Sequence, residues 1–117
     1  MSNDPFHPLA TPSDWTEARA HSEDEPVLVF KHSSACPIST SAHEEMQALA
    51  TGSAIPVYKL VVQQSRDLSN EIADVLGVHH ETPQAIVLDQ HESVFDTSHF
   101  DVTAETLREA IHATSPE

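Results

Sequence analysis

Two apolar runs, Val27–Phe30 behind Pro26 and the stretch from Ile55 to Val62, flank a segment in which Ile38, Ala42, Met46, Leu49 and Ala50 recur every three or four residues. The runs read as strands buried on both faces, and the spacing between them as one stripe of an amphipathic helix. Pro37 suits the first turn of that helix, where a missing amide proton costs nothing, and Gly52 marks its end. A strand–helix–strand unit of this kind demands two parallel strands joined by a right-handed crossover. That demand narrows the possible folds more than any other feature of the chain.

The remaining segments complete the order. The first eleven residues, rich in proline and polar side chains, read as an irregular lead-in. Asp14 and Glu17 stand at the spacing of a capping box, with Trp15 and Ala18 on one face of a short helix that ends in the acidic loop SEDEP. After the second strand, Leu68, Ile72, Val75 and Leu76 form a third helical stripe closed by Gly77. Ala85–Leu88, a turn over residues 89–92 and Ser93–Phe95 read as a hairpin, and Thr103 caps a final helix carrying Leu107, Ala110 and Ile111 inward. The order is α-β-α-β-α-β-β-α. Helices on both faces of a four-stranded mixed sheet give an α/β, thioredoxin-like fold, with residues 1–117 forming a single domain.

Charge excludes several functions. The chain carries 19 acidic against 5 basic side chains, a formal net charge of −14. Such a field repels phosphate backbones and anionic bilayers, so neither nucleic acid nor membrane is expected as a partner. The acids are spread along the chain, as on a solvated surface, and acid-rich, lysine-poor composition suits a high-salt cytoplasm that screens the self-repulsion. The opening residues show no basic segment followed by an apolar stretch, and no run approaches bilayer length. A cytoplasmic location is expected.

FKHSSACPIS (residues 30–39) holds the single cysteine, Cys36. One cysteine excludes an internal disulfide and an all-cysteine metal site within the chain. Cys36 falls where a strand gives way to a helix, and the unpaired amides and positive dipole end of a helix start favour a thiolate. The alternative is a small buried hydrophobe, although such a cysteine would sit more naturally in the apolar run than in the polar loop HSSACP. Thr82-Pro83, just before the hairpin, is a candidate for a cis bond or an ordinary proline at a strand start.

FKHSSACPIS resembles the active-site stretch of the monothiol bacilliredoxins, the YtxJ-like branch of thioredoxin-fold proteins, usually read as TCPIS. The resemblance continues in SRDLSN (65–70), HETPQ (80–84) and TSH (97–99), in the family's order, and spans about residues 12–114. Ala35 stands where threonine is common and Thr82 where serine is usual. The resemblance implies Cys36 as the nucleophile within the motif Ala35, Pro37, Ile38 and Ser39, and Pro83 as a facing cis-proline. It also implies removal of bacillithiol, a low-molecular-weight thiol, from S-thiolated client proteins. Ser39 occupies the position of a resolving thiol, so the small thiol stays on Cys36 as a mixed disulfide until an outside thiol attacks. The Thr82 backbone would pair with the incoming strand. Bacillithiol or another small thiol is then a co-substrate, no cofactor is tightly bound, and a monomer or weak dimer is expected.

Other residues keep two readings. His32 and His80 either sit near the thiol, favouring its anion or bonding the substrate, or cap backbone groups in loops. Arg66 either holds a carboxylate of the small thiol or pairs with Asp67 or a nearby acid. His7, His21, His43, His91 and His112 read as surface residues, and the role of His99 is open. Nine histidines raise a metal site, but His32 and Cys36 share no helix face and no second cysteine completes a zinc pattern. No metal is expected. Two further alternatives are a non-enzymatic thioredoxin-like binding or redox-sensing domain, and an iron–sulfur carrier resembling monothiol glutaredoxins, whose CGFS motif the segment CPIS matches only in outline.

Overall fold

The computed structural model describes residues 6–33, 37–52 and 55–114, with the side chains of Ile38 and Thr114 excepted. The strands are β1 (His7–Pro8), β2 (Val27–His32), β3 (Val57–Val61), β4 (Gln84–Asp89) and β5 (Glu92–Ser98). The α-helices are α1 (Pro12–His21), α2 (Pro37–Gly52), α3 (Arg66–Leu76) and α4 (Ala104–Thr114), with a 3-10 turn at His99–Asp101.

The strands form one mixed sheet in the order β1-β3-β2-β4-β5. β2 runs parallel to β3 and antiparallel to β4, and β5 returns antiparallel beside β4. β2 lies at the centre, which explains why Val27–Phe30 is an unbroken apolar run: a strand covered on both faces has no solvent side to make polar. Leu28, Phe30, Val57 and Val87 meet Ala42, Met46 and Leu49 of α2 and Leu107 of α4. On the other face Val27, Val29, Leu60, Ile86 and Leu88 pack with Trp15 and Ala18 of α1 and Leu68 and Ile72 of α3. The two layers of helix bury β2 from Val27 to Lys31, so function is left to the ends of the strands.

The sheet has five strands where the sequence reading expects four. The additional strand lies in the lead-in: His7 pairs with Tyr58 and Pro8 with Lys59. Leu9 extends the contact by donating its N–H to the Lys59 carbonyl at 3.0 Å. An edge position tolerates Pro8, whose missing donor faces away from the ladder. Phe6 and Leu9, both buried, anchor the segment to opposite cores.

The cap of α1 also differs from the sequence reading. Thr11, not Asp14, is the N-cap: the Asp14 N–H donates to Thr11 Oγ1 at 3.1 Å and the Thr11 N–H to Asp14 Oδ2 at 3.2 Å. Thr11→Ala is expected to lower stability by about 1 kcal/mol, read from the denaturant midpoint at unchanged slope. At the far end of α3, Gly77 takes φ 67° as the left-handed C-cap, the conformation glycine adopts without penalty.

Candidate functional site

Register gathers the candidate residues at one end of the sheet. β2 and β3 are parallel and His32 pairs with Val61, so the segments following both strands, including the starts of α2 and α3, emerge together. β4 runs the other way, and Lys31 pairs with Gln84, which brings Pro83 to the same end. Gln84 pairs in turn with Ser98, so His99 arrives there as well. His99 has φ 59° and donates its N–H to the Pro83 carbonyl at 2.9 Å, tying the turn after β5 to the segment before β4. The Thr82–Pro83 peptide bond is cis.

Cys36 and Ala35 lie outside the described residues. Pro37, exposed, is the first residue of α2, so Cys36 directly precedes a helix start in the chain. The amides of a first helical turn have no intrahelical acceptors, and the dipole end there favours negative charge. Ser39, the third residue of α2, is completely buried, and its Oγ accepts the Ser33 N–H at 3.3 Å. The Ser33 hydroxyl accepts from Gln63 Nε2 at 2.8 Å, linking the loop after β2 to the loop after β3. Ser39 therefore sits inward, tying the first turn of α2 to Ser33 just after β2.

His32 closes β2, half-buried, with its ring 4.8 Å from that of His43 and 5.7 Å from Phe30. Burial first, then the neighbouring His43 and Lys59, push its pKa down to about 4, with the Ser39 backbone pulling the other way. At neutral pH His32 is an uncharged imidazole, so it supplies no cation to a thiolate. His43, read from sequence as a surface residue, instead turns toward Phe6 and Phe30, and Lys59 Nζ lies 3.2 Å from its Nε2.

On the opposite face of the sheet, Lys31 is fully buried. Its Nζ donates to the Ser69 carbonyl at 3.0 Å and lies 3.3 Å from His80 Nδ1. Desolvation lowers its pKa to about 8. The sequence alone points to neither Lys31 nor Ser69 as a site residue. A lysine directly after four buried apolar residues of a central strand was the available signal, since nothing there reaches solvent. His80 is half-buried, and burial followed by the Lys31 charge lowers its pKa.

Arg66 opens α3, exposed, and lines a cavity of about 380 Å³ with Gln63, Ser65 and Glu71. Among the described residues no ion pair joins it to Asp67 or to another acid. Glu81 lies 3.5 Å from both His79 and His99, joining the segment before β4 to the turn after β5 a second time. His21 and His91 belong to the far end, where they pair with Glu25 and Glu23 beside the β4–β5 turn. Among the described residues no three metal-ligating side chains are grouped to hold an ion, and no helix is long and apolar enough to cross a membrane.

Comparison with known proteins agrees with this geometry. The family described as monothiol bacilliredoxin BrxC matches residues 7–107. A solved structure described as a candidate oxidoreductase with a thioredoxin fold shares 33% identity, covers 90% of this chain and 92% of its own, and superposes with a TM-score of 0.81. The thioredoxin of Fasciola hepatica is 18% identical over 94% of this chain and 100% of its own, with a TM-score of 0.77. A point mutant of thioredoxin from Halobacterium salinarum is 15% identical over 97% of this chain and 94% of its own, at a TM-score of 0.75. The last two share the fold.

Proposed function

This chain belongs to the monothiol bacilliredoxin family, and from that premise we propose that it removes a low-molecular-weight thiol, bacillithiol in the first instance, from S-thiolated proteins. Family and fold together support a thiol oxidoreductase. The observation that carries the finer reading is Ser39: the position three residues after Cys36, buried in the first turn of α2, holds a hydroxyl and no second sulfur.

In the first step the Cys36 thiolate attacks the small-thiol sulfur of the client's mixed disulfide. The new bond is Cys36 Sγ to the small thiol, the client's S–S bond breaks, and the client leaves as a thiolate. Attack on that sulfur makes the chain the carrier. A second small-molecule thiolate then attacks the carried sulfur, leaving as a disulfide and regenerating the Cys36 thiolate. No internal disulfide forms, because no resolving thiol exists in the chain. Thr82 beside Pro83 offers backbone to an extended client segment, and Arg66, exposed at the start of α3, suits a carboxylate of the small thiol. His32, uncharged, and His80 take part as hydrogen-bonding groups. Clients are thiolated proteins met in a reducing cytoplasm, and neither nucleic acid nor membrane is invoked.

Cys36→Ser tests the assignment. The variant is expected to leave a bacillithiolated client fully modified while the wild type strips it, followed by the client's mass. A variant that removed the thiol at the wild-type rate would refute Cys36 as nucleophile.

A further inference from the structure

Lys31 is a buried cation without a buried anion. Its side chain is 0% exposed in a chain of net charge −14, yet among the described residues no carboxylate pairs with it. Its neighbours are the Ser69 carbonyl at 3.0 Å and His80 Nδ1 at 3.3 Å, and Ser69 Oγ lies 3.2 Å from the same ring nitrogen. An ammonium has donors only. A ring nitrogen facing it at that distance is therefore an acceptor, and the imidazole proton resides on Nε2. A proton on Nδ1 would instead set two donors, or in the imidazolium two cations, against each other in a desolvated place. Burial and then Lys31 hold the ring toward its neutral form; of the other charged groups about it, Glu81 pulls upward while Arg66 and His79 push down.

The ring stands two residues before Thr82, in a segment fastened on each side. Gln84 Nε2 donates to the His79 carbonyl at 2.8 Å, and the His99 N–H holds the Pro83 carbonyl. We propose that Lys31, held by the Ser69 carbonyl, is a positioning residue that fixes His80 as the uncharged Nε2–H tautomer, so that His80 meets a bound mixed disulfide as a neutral hydrogen-bond donor. The donor supports the charge that gathers on sulfur as the S–S bond changes hands, and a neutral imidazole N–H is too weak an acid to protonate the attacking thiolate. This role rests on the proposed thiol exchange.

Nitrogen-15 NMR of the imidazole rings tests it without depending on activity. In the wild type, His80 is expected to carry its proton on Nε2 and to titrate below the ordinary histidine value of 6.5. In Lys31→Met the titration moves up toward 6.5 and the tautomer becomes mixed, while exchange with a bacillithiolated client slows about tenfold at neutral pH, the worth of one lost oriented hydrogen bond. Ser69→Ala, which keeps the Lys31 charge and the backbone carbonyl, leaves the tautomer on Nε2. A wild-type proton on Nδ1, or a His80 titration unmoved in folded Lys31→Met, overturns the proposal. Absence of exchange in the wild type with the NMR result as expected would instead count against the thiol-transfer reading alone.

Discussion

A Ser39→Cys variant, loaded with a small thiol on Cys36, is expected to expel that thiol without any added thiol, about a hundredfold faster than the loaded wild type. The wild-type adduct has no internal attacker and persists until an outside thiol arrives. Ser39 is buried in the first turn of α2, where its Oγ already accepts from Ser33 N–H of the same loop. A thiol placed there stands three residues from Cys36 in the chain, and oriented intramolecular attack is worth far more than a hundredfold when geometry allows. Burial raises the pKa of the new thiol and limits the gain, which sets the modest estimate. The new sulfur attacks Cys36 Sγ, the small thiol leaves as a thiolate, and an internal disulfide remains. Loss of the adduct mass with time in buffer alone measures this; an adduct equally durable in both proteins would show that the position does not face Cys36.

Lys31→Met is expected to stabilise the fold by about 1–2 kcal/mol at neutral pH. Removing an unpaired buried charge recovers a desolvation cost of several kcal/mol, and methionine fills nearly the same stem volume. Loss of the donor to the Ser69 carbonyl and to His80 takes back about 1 kcal/mol of that. The pH dependence follows from the shift. Unfolded lysine titrates at 10.5 and folded Lys31 at about 8. Between these values the unfolded chain binds more protons, so raising the pH favours the fold. The advantage of the variant is therefore full below about pH 8 and shrinks as pH rises from 8 to 10.5. Urea midpoints of both proteins across that range check it. A variant less stable at every pH would mean that the ammonium, through its two hydrogen bonds, stabilises the fold on balance. Should the gain appear together with slower exchange, stability has been given up at this position for the sake of the site.

Most of the fold was legible in periodicity because the central strands are covered on both faces. Val27–Phe30 and Ala85–Leu88 could be nothing but buried strands once helices flanked them. β2 nonetheless runs two residues beyond the apolar run, through Lys31 and His32, and this is where polarity misled. Lys31 satisfies its ammonium through a backbone carbonyl and a ring nitrogen brought in from α3 and from the segment before β4, partners 38 and 49 residues away that no local pattern announces. β1 was hidden for a different reason. A two-residue edge strand containing Pro8 has neither alternation nor length, and only its register with Tyr58 and Lys59 reveals it.

The candidate site was legible as motifs and illegible as electrostatics. HETPQ, TSH and SRDLSN lie far apart in the chain, and parallel pairing of β2 with β3 and antiparallel pairing with β4 bring them to one end of the sheet. Their charge states depend on burial, which sequence does not report. His32 beside a cysteine in sequence suggests a cation; folded against Phe30, His43 and Lys59 it is neutral.

Under the proposed exchange, Cys36 carries the thiol it removes. Intact mass and peptide mapping of this chain, after incubation with a bacillithiolated protein and before any small thiol is added, test it most directly. One small-thiol adduct per chain, located on Cys36, is expected, appearing in step with loss of the same mass from the client. Loss of the modification from the client with no adduct on Cys36, or an unmodified chain beside an unchanged client, would contradict it.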